Sequence, residues 1–171
     1  MSEQDHLSLI RRREVEAEIV GPLLRGFIDR FGRDETLEVA REVIAGLARS
    51  AGANLAGRLG DASLETFAQS LDLWKEDGAL EIEVLEQSAD RLDFNVTRCR
   101  YAETYRALGL ADLGATLSCL RDYALIQGFN PNVELTRTGT LMEGSPYCDF
   151  RFRNVGTTPR KDLLENSDNP D

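Results

Sequence analysis

Cys119, Asp122 and Tyr123 stand three and four residues apart, so on a helix their side chains meet along one edge. A thiol beside a carboxyl and a phenol can serve nucleophilic or acid–base chemistry. Arg137 is a second unusual group. The alternation of the stretch 133 to 141 puts it on one face with Val133, Leu135, Gly139 and Leu141, where an apolar side chain is expected. A buried guanidinium needs an acid partner, for which Asp122, Glu134 and Glu143 are candidates, or an anionic ligand. In the run from Tyr147 to Arg153, Cys148 shares a face with Phe150 and Phe152, while Asp149, Arg151 and Arg153 take the other face. The simplest account of a free cysteine is a small buried hydrophobe, and that account competes with a catalytic one at Cys119. Cys99 reads as structural, and Tyr101 and Tyr105 as packing residues.

What is missing narrows the chemistry. His6 is the only histidine and lies in a polar N-terminal stretch. A Ser-His-Asp triad, a Cys-His pair or an H-E-x-x-H zinc site would all have to be built on it. Proton transfers therefore fall to carboxylates, thiols, tyrosines or water. Three cysteines at wide spacings form neither a disulfide framework nor a zinc knuckle, so they are expected as reduced thiols, with no metal bound. There is no G-x-G-x-x-G or Walker loop to cradle a nucleotide, and no cofactor is expected.

Several elements must position these groups. Leu7, Ile10, Val15, Ile19, Leu23, Phe27 and Phe31 lay one apolar stripe on a helical surface, with a kink or break at Gly21-Pro22. A second helix after Gly32, capped by Asp34, carries Leu37, Ala40, Ile44, Leu47 and Ala51 inward. A third, opened by Asp61 or Ser63, aligns Leu64, Phe67, Leu71 and Trp74 and stops at Gly78. At Ala79 the period changes from 3.6 to 2, which predicts a hairpin of strands near 79 to 86 and 90 to 98. A short helix from Tyr101 to Leu108 and a longer one from Leu113 to Gln127 come next. Strands near 132 to 141 and 147 to 153 close the pattern. Helices first, then a four-stranded antiparallel sheet with two inserted helices, is an α+β order, because strands and helices do not alternate as a parallel sheet requires. One domain over 1 to 153 and a loose tail over 154 to 171 are expected.

Thirty acidic against twenty basic residues give a net charge of -10, a field that repels a phosphate backbone, so nucleic acid is not an expected partner. No apolar run approaches a membrane span and the N-terminus has no signal-peptide core, which predicts a cytoplasmic protein without membrane contact. Nothing in the sequence excludes a homo-oligomer.

The stretch RCRYAETYRALGL, followed by LSCLRDYALIQGFNPNVELTRTGTLMEGSPYCDFRF, resembles the L-2-amino-thiazoline-4-carboxylic acid hydrolase family. The matching motifs are Cys119-x-Arg121-Asp122, Gly128-Phe129-Asn130-Pro131, Arg137-Thr138-x-Thr140-x-Met142-Glu143-Gly144 and Cys148-Asp149-Phe150-Arg151. One departure is Tyr147, where relatives often carry histidine. The resemblance implies hydrolytic opening of a cyclic amidine-like C=N bond in a small carboxylate substrate, giving an N-carbamoyl amino acid. That reaction needs a nucleophile, with Cys119 ranked ahead of Cys148. It also needs an acid/base, Glu143 or Asp122, and a carboxylate clamp, Arg137 or Arg121, with Arg151 and Asn130 as further substrate-binding candidates. An arginine beside the thiol would lower its pKa. The alternative is a non-catalytic small-molecule-binding module of the same fold.

Overall fold

The change of period at Ala79 becomes a hairpin: β1 (Leu80–Gln87) pairs antiparallel with β2 (Arg91–Cys99) in the computed structural model, which describes residues 7–156. His6 and most of the expected tail lie outside the described residues. β3 (Val133–Thr136) and β4 (Cys148–Asn154) complete a four-stranded antiparallel sheet in the order β1-β2-β4-β3. Register sets Val96 opposite Cys148, Phe94 opposite Phe150 and Leu92 opposite Phe152, so one face is a continuous apolar floor. The other face carries charge, with Arg153 bonded to Asp93.

The helices lie over the apolar floor. They are α1 (Leu9–Phe31), α2 (Arg33–Leu59), α3 (Leu64–Lys75), α4 (Arg100–Ala107), α5 (Ala111–Gly114) and α6 (Leu120–Phe129). Ser63 caps α3 by accepting from the Thr66 amide. Phe67 of α3 meets Phe129 at 5.1 Å and Phe152 at 5.2 Å between ring centroids, which joins α3, α6 and the sheet in one core. A second core gathers Ala17, Leu37, Ile44, Tyr105, Leu113 and Leu117 between α1, α2, α4 and the segment before α6. α2 and α6 approach backbone to backbone. A Cβ on Gly52 would lie 2.0 Å from the Leu125 carbonyl oxygen, and one on Gly128 2.0 Å from that of Arg49. Gly52→Ala or Gly128→Ala is therefore expected to destabilise the chain by about 1 to 3 kcal/mol through forced separation of the two helices. Chemical denaturation reads this directly; a midpoint unchanged from the native chain contradicts it.

Four expectations are corrected. Of the two outcomes expected at Gly21-Pro22, a kink or a break, the break does not occur, and α1 runs through: Pro22 is exposed, so water can reach the carbonyl its ring leaves unbonded, and Gly21 gives room to the Leu110 side chain. The expected 113 to 127 helix contains a π-helical turn (Ala115–Cys119), where Leu120 N–H donates to the Ala115 carbonyl. β3 ends at Thr136 instead of 141, because the Asp149 carboxylate takes the Thr138 and Gly139 amides and Thr140 caps a 3-10 turn (Leu141–Glu143). Finally, the expected core face of α2 is only partly buried, and so is the apolar stripe of α1. Ile10, Ala17, Gly21 and Leu24 of α1 are buried, whereas Val15, Ile19, Leu23, Phe27 and Phe31, and Leu47 and Ala51 of α2, are exposed.

Candidate functional site

Because β3 ends early, Arg137 swings out of the ladder and under α6. Its guanidinium lies between the rings of Phe150, at 4.8 Å, and Tyr123, at 5.1 Å. One terminal nitrogen donates to Asp122 Oδ2 at 2.6 Å and the other to the Cys119 carbonyl at 3.1 Å, leaving Nε buried without a partner. With only 4% of its side chain exposed, Arg137 is a fixed cation with Asp122 as its acid partner. The structure thus selects Asp122 from the three acids that the strand arithmetic allowed.

Asp122 is enclosed by protein yet keeps 39% of its side-chain surface accessible, because it faces a cavity of about 270 Å³ between the sheet floor and the helices. Burial raises its pKa above the ordinary carboxylate range, and the charge and hydrogen bond of Arg137 oppose that rise without cancelling it. Burial works against the Arg137 charge too, but Asp122 more than offsets it, so Arg137 is held cationic. The pair joins a permanent positive charge to a carboxyl that keeps its proton to higher pH than a free aspartate does.

All three thiols line this cavity. Cys99 ends β2 and caps α4, its sulfur accepting from the Ala102 amide at 3.4 Å, and the Cys148 sulfur accepts from the Leu141 amide at 3.1 Å. Neither contact outweighs burial: Cys99 is pushed up to about 11 and Cys148 is raised as well. Cys119 is raised most, by burial first and by the neighbouring Asp122 charge next, with Arg137 only partly opposing. The expectation that an adjacent arginine would lower the Cys119 pKa is therefore reversed, since the same arginine is paired with a carboxylate and burial removes the thiol from bulk solvent. Iodoacetamide at neutral pH is accordingly expected to modify the three thiols slowly, with rates that climb into the alkaline range. Mass spectrometry of the intact chain over time tests this, and rapid modification of Cys119 at neutral pH contradicts it.

The other candidates separate. Cys119 and Arg137 also line an outer cleft of about 340 Å³ together with Glu143 and Thr140, so Cys119, Arg137 and Glu143 do share a pocket. Glu143 does not line the inner cavity; it is exposed, and its carboxylate accepts from the Thr140 hydroxyl at 2.7 Å. The two acid candidates thus serve different spaces, Asp122 the inner and Glu143 the outer. Arg121 faces the inner cavity from α6, donating to the Leu117 carbonyl at 2.9 Å and to Glu16 at 3.2 Å. Burial and the neighbouring Arg13 charge lower its pKa, so its cation is less well compensated than that of Arg137. Arg151 is held on the charged face of the sheet by the Phe94 carbonyl and Asn95, and Asn130 binds the Ala62 carbonyl in the turn after α6; neither lines the cavity.

Residues read from the sequence as structural or packing contribute wall, namely Cys99, Tyr101 and Trp74, and Phe94 of β2 joins them. The sequence signals for Cys99 are its place at a strand-to-helix junction and its position in the RCRYAETYRALGL stretch. Arg12, Arg13, Arg58, Arg121 and Arg137 line the cavity against two acids, Glu76 and Asp122, so its charged lining is mainly basic in a chain that is acidic overall. Among the described residues no group of three or more His, Cys, Asp or Glu side chains could hold a metal ion.

The profile of the L-2-amino-thiazoline-4-carboxylic acid hydrolase family matches residues 12–152. The chain belongs to this family. The match takes in α1 from residue 12 onward, α2 and α3, as well as the segments carrying Asp122, Arg137 and the three thiols. No curated protein matches the chain significantly. Two solved structures share the fold at low identity. One is the phenol-responsive sensory domain of the transcription activator PoxR with phenol, at 10% identity and a TM-score of 0.55, covering 81% of this chain and 74% of that one. The other is trafficking protein particle complex subunit 3 from Naegleria fowleri covalently bound to palmitic acid, at 11% identity and a TM-score of 0.51, covering 83% of this chain and 94% of that one. No helix among the described residues is long and apolar enough to cross a membrane.

Proposed function

We propose that the inner cavity takes a small cyclic amidine carboxylate, such as 2-amino-thiazoline-4-carboxylate, and opens its ring by hydrolysis, with Asp122 as the proton carrier. The observation behind this reading is a cavity-facing carboxyl raised by burial and locked by a cation that is itself fixed between two rings. Asp122 as carboxylate takes a proton from water as the water oxygen bonds to the amidinium carbon. Protonated Asp122 then returns that proton to the ring sulfur as the carbon–sulfur bond breaks, which leaves an N-carbamoyl amino acid. The extra proton that the amidinium carried departs to solvent. The substrate carboxylate is assigned to Arg121, assisted by Arg13, because these two arginines share the single carboxylate of Glu16 whereas Arg137 has Asp122 as its own partner. A thiol nucleophile is not required, and the raised thiols do not favour one.

A second reading, binding without turnover, is supported by the cavity wall. Phe67, Trp74, Phe94, Phe150 and Phe152 present large apolar surface that a small polar ring does not need, and two proteins of this fold hold phenol or palmitic acid. Incubation of the purified chain with 2-amino-thiazoline-4-carboxylate, with the free thiol of the product measured alongside calorimetric binding, tests both readings. Turnover supports the hydrolase. Saturable binding with no thiol released supports the binding module, and neither binding nor release removes this substrate class.

A further inference from the structure

Five large apolar side chains of α1, Val15, Ile19, Leu23, Phe27 and Phe31, are each between 43 and 66% exposed. They follow one another at steps of four, which makes them a single ridge winding along the helix. Val39, Val43 and Leu47 of α2, 55 to 61% exposed, continue the surface across a groove of about 860 Å³ that Phe27 and Phe31 also line. Gly32, with φ of 91°, joins the two helices as a one-residue turn, so ridge and groove belong to one rigid hairpin. At roughly 100 Å² per side chain the eight residues expose about 800 Å², the share that each partner contributes to a standard-size interface. Isolated exposed apolar residues are ordinary, but a contiguous patch of this size is not.

We infer that this surface is the contact between two copies of the chain, with α1 crossing α1 of the second copy at Leu23 about a two-fold axis. The ridge is self-complementary about that point. Ile19 and Phe27 lie four residues to either side of Leu23, and Val15 and Phe31 eight, so the two-fold axis brings a smaller side chain against an aromatic one at each step. Glu16, which also pairs with Arg13 and Arg121 of its own chain, and Arg30 lie seven residues to either side and come opposite each other with opposite charge. Ridges at steps of four pack into each other at about -50°, the commonest helix crossing, which carries Val15 and Ile19 of one copy towards the groove rim of the other. An anionic membrane surface would offer charge of one sign to the edges of this face, whereas a second copy related by the two-fold axis offers both signs there.

Sedimentation of the full chain over a wide concentration range is expected to give twice its 19.1 kDa mass at micromolar concentration. Leu23→Asp should give a folded monomer, as judged by circular dichroism. Leu23→Cys should form a covalent dimer in high yield under mild oxidation, while the exposed control Glu65→Cys on α3 should not. The Leu23→Cys arm keeps the proposal testable even if Leu23→Asp fails to fold. A native monomer at every concentration overturns it, whether its α1 amides exchange freely or are protected by the chain's own ends. So does a dimer that persists in Leu23→Asp, or cross-linking of Leu23→Cys no greater than that of the control.

Discussion

Asp122→Asn is expected to lower kcat for ring opening by about 10² to 10⁴-fold while leaving substrate binding nearly intact, because the amide keeps shape and volume but cannot exchange the proton. Cys119→Ser and Cys148→Ser should remain within about tenfold of the native rate, since both thiols are held protonated by burial and no step runs through a thiolate. The pH profile gives an independent reading. A carboxyl raised by burial moves the acid limb of kcat above the ordinary carboxylate range, and that limb should vanish in Asp122→Asn. Steady-state kinetics on the three variants decides. A collapse of kcat in Cys119→Ser, with Asp122→Asn little affected, would transfer the chemistry to the thiol and require an ionised form that burial opposes.

Arg137→Ala should produce the largest loss of stability, about 3 to 5 kcal/mol at neutral pH and on the order of 10 °C in Tm, because it leaves Asp122 buried with its charge uncompensated and also empties the space between Phe150 and Tyr123. The pH dependence has a definite sign. The folded chain holds the Asp122 proton more tightly than the unfolded chain does, so stability falls as pH rises from the ordinary carboxylate pKa to the raised folded one, and the loss is complete above it. Removing Arg137 raises the folded pKa further and deepens that loss, so the variant should regain part of its stability on mild acidification. Asp122→Asn in the same chain should restore part of it at neutral pH. Thermal melts across pH test both statements. An equal penalty at all pH values would assign the effect to lost packing alone.

The predictions at Asp122 and Arg137 rest on a contact between residues 15 apart in sequence, which illustrates what local pattern conveys and what it does not. The hairpin of β1 and β2 was legible because alternation of apolar and polar side chains is a property of a strand itself, and the same arithmetic placed Cys148, Phe150 and Phe152 on one face. The edge Cys119-Asp122-Tyr123 was legible for the same reason, as helical spacing of three and four. Arg137 was visible as an anomaly, a charge at an apolar position, but its partner was open among three acids. β3 had to end at Thr136 before the guanidinium could reach α6, and Asp149, eleven residues after Thr138, decided that ending.

Periodicity states which side chains share a face, and it does so from sequence alone; it is silent on what that face meets. The α1 stripe is the clearest case, a ridge with helical spacing that the fold turns outward because Ile10, Ala17, Gly21 and Leu24 already supply the inward contacts. Burial also decided the chemistry of the thiols. The sequence placed arginines near Cys119 and suggested an activated sulfur, whereas removal from water, which depends on α2, α3, α6 and the sheet closing together, raised its pKa instead. Residue types, their faces and the order of the elements were thus determined by the sequence, because they follow from local backbone geometry. The pairing of Arg137 with Asp122, the gathering of three distant cysteines around one cavity and the protonation of each were decided only by tertiary structure, because electrostatic free energies depend on surroundings drawn from the whole chain.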